Sequence, residues 1–177
     1  MAIEDLITLC NRRWALPVLC ALADGAPTRA YPLALHMKAG RASITEGLQH
    51  LIALGYVSKP KGHSHPLQPD IYLTESGEAL AASAAPYMKG IAENPALGGK
   101  PLGKWSLPAL AMARAPVRFN DLRRSLPSIT DRALSLTIHE LEAKTLLTFE
   151  QQHDTRPVIG LYQATSAGQG LIMGLVD

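Results

Sequence analysis

Most of the chemistry this sequence can offer lies in five arginines of its C-terminal third: Arg118, Arg123, Arg124, Arg132 and Arg156. A guanidinium is always charged and presents a rigid fork of donors, which suits phosphate oxygens and, when bidentate, the edge of guanine. Ser135, Leu136 and His139 follow Arg132 at spacings that share one helix face. A leucine there can meet a thymine methyl. Ser128 and Thr130 lie in the turn just before. A second cluster stands earlier: Lys38, Arg41, Ser43, Thr45 and Gln49, then Lys59 and Lys61. Both clusters point to phosphate contact combined with base-edge contact.

Each of these residues also has a plainer reading. Arg123 and Arg124 also read as a solvated helix face, and Arg132 as a partner for Asp131 or Glu140. Glu46 sits among the first cluster, where it either accepts from cytosine or marks a face that grips nucleic acid poorly. His63 and His65 form an H-x-H fragment without third and fourth ligands, so no metal is expected, and no cofactor. The sequence has no nucleophile–base signature, phosphate-binding glycine loop or paired carboxylates, and no enzyme is expected. Cys10 and Cys20 are too few for a disulfide framework and fit a reducing compartment. Neither is expected to act as a redox switch. Cys20 lies in an apolar helix, and only Arg12 and Arg13 flank Cys10.

The chain has 177 residues, 47% hydrophobic and 18% charged, a globular composition with ample core material. Net charge is only +2, from 17 basic and 15 acidic residues, so any nucleic-acid binding must rest on where the charges sit. Met1 to Asp5 is acidic, unlike a secretory leader, and no apolar run is long enough for a membrane span. A cytoplasmic protein without a membrane partner is expected.

The elements that must position the clusters emerge from an internal repeat. Trp14-Ala15-Leu16-Pro17-Val18-Leu19 recurs 91 positions later as Trp105-Ser106-Leu107-Pro108-Ala109-Leu110. Thr74, Gly77 and Leu80 recur at the same interval as Thr165, Gly168 and Leu171, while Leu33/Leu122 and Leu51/Leu141 are offset by 89 and 90. Ordered matches at nearly one period indicate duplication.

In the second half, Trp105 to Ala113 reads as a helix. Val117 to Arg124 reads as a short basic helix entered through Asn120. After the turn at Leu126-Pro127-Ser128-Ile129, Thr130 caps a helix from Asp131 to about Lys144, with Leu134, Ile138 and Leu141 as its buried stripe. Strands follow at 146–149 and 158–162, then a short helix holding Gly168 and Leu171. The first half repeats the plan with helices at 14–22, 31–37 and 42–54, strands at 56–59 and 71–73, and a helix at 76–93 that Pro86 kinks or restarts. An added helix spans 3–10.

The expected fold is mainly α with small β-hairpins: two tandem winged helix-turn-helix domains, 1–93 and 104–177, joined by a linker at 94–103. The halves are expected to pack through the 3–10 and 76–93 helices.

The second half resembles the HxlR-type winged-helix regulators, relatives of the MarR group. The matching strings are Gly103-Lys104-Trp105, Arg118-Phe119-Asn120-Asp121-Leu122-Arg123-Arg124, Leu134-Ser135 and Leu141-Glu142. The first half is similar more loosely, through Arg13-Trp14 and Leu73-Thr74-Glu75-Ser76-Gly77. There are departures. Such regulators usually hold one winged helix and dimerise, and Lys144-Thr145 stands where they carry an acidic residue and a glycine. Cys10 does not match the redox cysteine of some members.

The resemblance implies a sequence-specific regulator of transcription whose partner is double-stranded DNA. One chain would act as a pseudo-dimer, or as a homodimer. A small-molecule effector would sit in a cavity between the domains, lined by Trp14, Trp105 and Met112. The alternative is a tandem winged-helix protein-interaction scaffold of the chromosome-segregation type.

Overall fold

Leucines and isoleucines spaced three and four apart drive most of the chain into short amphipathic helices. The computed structural model describes residues 1–59, 71–153 and 158–176. Its first helix, α1 (Ile3–Leu9), buries Leu6 and Leu9. Then come α2 (Ala15–Ala23), α3 (Ala30–His36), α4 (Arg41–Ala53), strands β1 (Val57–Ser58) and β2 (Tyr72–Leu73), and the long α5 (Glu75–Glu93). A 3-10 turn at Pro95–Leu97 leads into α6 (Ser106–Met112), α7 (Phe119–Ser125), α8 (Asp131–Ala143), β3 (Leu147–Gln152), β4 (Ile159–Ala164) and α9 (Ser166–Ile172). The fold is helix-dominated, with two small antiparallel hairpins, as a winged helix requires. No described helix is long and apolar enough to cross a membrane.

From α2 and from α6 onward, both halves run helix, helix, helix, hairpin, helix, and their local devices agree. α4 and α8 each have 13 residues. Each ends in a Schellman turn: Tyr56 N–H donates to Leu51 O and Leu146 N–H to Leu141 O. The left-handed residue is Gly55 (φ 78°) in one and Thr145 (φ 56°) in the other. Thr74 and Thr165 then cap α5 and α9, accepting from Gly77 N and Gly168 N. A Cβ on Gly77 would lie 2.1 Å from Tyr56 O, and one on Gly168 2.2 Å from Leu146 O, so both sites exclude a side chain.

One continuous apolar core spans the two halves. Trp14 and Trp105 are partly buried against it, each at the N-cap of its helix. α1 contacts α6 and α5 packs along α9, so the two helices expected at the junction make it. A Cβ on Gly90 of α5 would come within 2.3 Å of Leu171 Cδ2, which shows how closely α5 and α9 approach. The segment between the halves is anchored as well. Arg13 Nε donates to Pro101 O at 2.8 Å, and Leu102 N–H donates to the buried Tyr87 hydroxyl at 3.1 Å.

Several expectations are corrected. α7 is entered through Arg118, not Asn120: Val117 exchanges both backbone hydrogen bonds with Tyr162, which holds the chain extended to Arg118. α5 does not restart at Pro86, which lies inside a single helix from Glu75 to Glu93. The carbonyl that Pro86 leaves unpaired belongs to Ala82, on the exposed side of the helix. The first hairpin is shorter than expected, and β4 continues to Ala164. The cavity that Trp14 lines is completed by Met88, Ile91, Gly99 and Pro101, not by Trp105 or Met112.

Candidate nucleic-acid interface

α8 places its residues by period. Leu134, Ile138 and Leu141 are buried, so Arg132, Leu136 and His139 must face outward, and all three are exposed, Leu136 at 61%. Thr130 caps the helix by accepting from Ala133 N at 3.2 Å. Asp131 in the first turn complements the positive helix end. Arg132 does not: a cation there costs about 0.3–1 kcal/mol, so local helix stability does not explain it. Its side chain has no polar partner among the described residues, and it pairs with neither Asp131 nor Glu140.

Asp131 instead holds Arg123, whose Nε lies 2.8 Å from its Oδ1 across the turn. Arg124 pairs with Asp121 at 2.8 Å, and Glu140 pairs with Lys144. Two of the expected phosphate contacts are therefore engaged with carboxylates, although both pairs are substantially exposed and worth little in water. Ser135, half-buried, donates its Oγ–H to Asp131 O at 2.9 Å. His139 Nδ1 lies 3.7 Å from Glu142. Arg118, exposed at the N-cap of α7, has no ion-pair partner among the described residues. Ser128 occupies the turn in the left-handed region at φ 68°, exposed. Arg156 lies outside the described residues; His153, the last described residue before it, is exposed.

On the first half, Arg41, Ser43 and Gln49 of α4 are exposed and Thr45 half-buried, opposite Ile44, Leu48 and Leu51. Lys38 takes the left-handed turn position at φ 50° and Lys59 follows β1, both exposed. Glu46 is answered by Arg12 at 3.8 Å. Lys61, His63 and His65 lie outside the described residues. The reading from sequence missed Arg29, the N-cap of α3. It stands 89 residues before Arg118, the offset that already related Leu33 to Leu122.

The cysteines sit apart from both faces. Burial pushes the Cys10 thiol up to about 12; burial and then nearby Asp24 do the same for Cys20.

Residues 102–176, under half of the chain, match the HxlR-like helix-turn-helix family. Over 70 residues the chain is 39% identical to the uncharacterized HTH-type transcriptional regulator YybR of Bacillus subtilis (strain 168), covering 39% of this chain. The chain spans 55% of the length of that relative. Among solved structures it is similar to a Porphyromonas gingivalis W83 protein described as a transcriptional regulator of the MarR family. That match has 27% identity, covers 40% of this chain and 69% of that one, and has a TM-score of 0.37. It is also similar to diamide-treated YodB from B. subtilis, at 24% identity over 45% and 75% of the two chains, with a TM-score of 0.36.

Proposed function

We infer that the chain is a sequence-specific DNA-binding regulator of transcription, read out chiefly through α8. The observation that carries this is the outward face of α8. There Arg132, Leu136 and His139 stand exposed above a buried stripe, inside the segment that matches the HxlR-like helix-turn-helix family. In this reading α8 enters the major groove, Arg118 and the α7 arginines fix it on the phosphates, and the β3–β4 hairpin is the wing. The description of the B. subtilis relative as a transcriptional regulator supports it.

The first half is, on this reading, a tandem copy with α4 as a second reading helix. The matched element order, the paired Schellman turns and the Thr74/Thr165 caps support this. Both carboxylate-held arginines and the Arg12–Glu46 pair favour the other reading, a protein-interaction scaffold, because they occupy cations on the would-be reading faces.

Titrating the full chain with duplex DNA at several salt concentrations separates the two. A regulator loses affinity log-linearly with salt, at a slope of about −0.9 for each phosphate neutralised, and about four or more phosphates are expected. No retention of any duplex at low salt would leave the scaffold.

A further inference from the structure

The outer edge of the second hairpin is paired, and the matching edge of the first is open. In the second half Val117 lies antiparallel to β4 and exchanges both backbone hydrogen bonds with Tyr162, at 2.9 and 2.8 Å. Beyond it, Ala164 N–H donates to Ala113 O at 2.7 Å. The first half carries nearly the same string, Ala26-Pro27-Thr28-Arg29 for Ala115-Pro116-Val117-Arg118. The hairpins pair in step, Val57 with Leu73 as Leu147 with Ala164, so Ile71 and Leu73 correspond to Tyr162 and Ala164. Thr74 N–H donates inward to Tyr56 O at 3.1 Å, and alternation therefore turns the backbone groups of Leu73 and Ile71 outward. Among the described residues no backbone hydrogen bond meets them there.

Two extra residues cause the difference. Three residues separate Leu22 from Ala26, where one separates Ala113 from Ala115. With them α2 runs on to Ala23 and closes in a Schellman turn. Ala26 N–H donates to Ala21 O at 2.9 Å, and the N–H of Gly25, at φ 82°, donates to Leu22 O at 3.1 Å. The Leu22 carbonyl is thus engaged in its own turn, whereas α6 stops at Met112 and leaves Ala113 O to Ala164. Thr28 stays exposed in a bend and makes no bridge to Ile71.

A trough of about 460 Å³ follows the open edge, with Leu22, Thr28, Ile71, Leu73 and Glu78 in its walls. Glu78 stands where the second half has Gln169, whose Nε2 donates to Ala164 O at 3.1 Å. A glutamate carboxylate can only accept, so it leaves the Leu73 carbonyl unmatched and presents a negative charge instead. Glu78 is exposed and has no ion-pair partner among the described residues.

We propose that this edge docks an extended segment of another protein as a third strand, antiparallel to β2. A β-branched aliphatic side chain lies opposite Ile71, and a basic residue on its N-terminal side reaches Glu78. Backbone pairing gives the hold and the trough selects the side chains, as in other cases of strand addition. The second half shows what fits, because Val117 fills the equivalent place with Arg114 ahead of it. A second copy of the chain does not supply this strand, since its own Val117 is already paired. Nucleic acid does not suit an edge of alternating donors and acceptors beside a carboxylate.

The probe is a capped peptide of residues 113–118, Ala-Arg-Ala-Pro-Val-Arg, titrated into the ¹⁵N-labelled full chain and followed by NMR. The amide signals of Thr28, Ile71 and Leu73 should shift together and saturate with a Kd of roughly 1 mM or tighter. Those of Tyr162 and Ala164, already paired, should stay in place. N-methylation of the peptide valine removes its donor to Ile71 O and should weaken binding roughly tenfold. Glu78→Lys, at an exposed position, should reverse the preference between this peptide and its Arg114→Glu form. The proposal is overturned by the absence of shifts at Ile71 and Leu73, or by equal binding of the N-methylated peptide. It is also overturned by an unchanged preference in Glu78→Lys, or by displacement of the peptide by duplex DNA, which would assign the edge to nucleic acid. Peptide binding itself requires no DNA, so its failure is distinct from failure of the regulatory reading.

Discussion

Arg123 and Arg132 flank one turn and meet opposite fates. Arg123 is held by Asp131, while Arg132 projects from the first turn of α8 with no polar partner among the described residues. A cation left unanswered at the positive end of a helix is placed for a partner outside the chain. Arg132→Ala should therefore leave thermal unfolding unchanged and cost about 1–3 kcal/mol of operator affinity, read as a 5- to 150-fold rise in Kd on the preferred duplex. Undiminished affinity in the variant would remove Arg132 from the reading head. The cysteines yield a second prediction at this scale. A thiol at about 12 is ionised to about one part in 10⁵ at pH 7, so diamide should not alter DNA binding. The same shift has a stability sign. The folded state holds the Cys10 proton that the unfolded chain releases near its ordinary value of 9.0, so this contribution is intact below pH 9 and is lost as pH rises toward 12. Urea unfolding between pH 8 and 10.5 should show a decline to which Cys10 alone adds up to about 1.4 kcal/mol for each pH unit above 9, so the decline is shallower in Cys10→Ala. An unchanged slope in that variant would show that Cys10 is not the group responsible.

Thr145 gives the elements their sharpest test. It takes φ 56° at the end of α8, where the first half has Gly55. A β-branched residue in the left-handed region costs about 1–2 kcal/mol, partly offset by the greater freedom of glycine in the unfolded chain. Thr145→Gly should stabilise the protein by about 1 kcal/mol, a rise of about 2–4 °C in Tm, visible by calorimetry. A lower Tm would mean that the Thr145 hydroxyl, which donates to Lys144 O at 2.7 Å, outweighs the backbone strain. That strained turn was legible in the sequence as a threonine standing in for the glycine expected there. So was α8, because Leu134, Ile138 and Leu141 fix a face wherever the helix packs. The entry to α7 was not legible. Asn120 is the better capping residue by type, but a tertiary pairing between Val117 and Tyr162 decides where the chain stops being extended. Nor was the Arg123–Asp131 pair, which closes across a turn and follows no period.

At the scale of the whole molecule, the question is whether α4 and α8 are fixed relative to each other. α1 lies against α6, α5 runs along α9, and Arg13 and Tyr87 fasten Pro101 and Leu102, so the segment between the halves is held at its C-terminal end. A freely swinging linker would leave these groups to water. Here α5 and α9 of one chain pack together. One chain should therefore occupy one operator, with its heads meeting half-sites about one helical turn apart on one face of the duplex. The half-sites should differ, because α4 offers Arg41, Thr45 and Gln49 where α8 offers Asp131, Ser135 and His139. Native mass spectrometry of the complex on a short operator duplex should give one chain per duplex. Inserting five base pairs between the half-sites turns one of them to the opposite face, so it should weaken binding sharply, while a ten-base-pair insertion tests how rigidly the spacing is held. An obligatory two chains per duplex, together with indifference to the spacer, would show that α4 does not read DNA and that the first half serves pairing or ligand sensing instead.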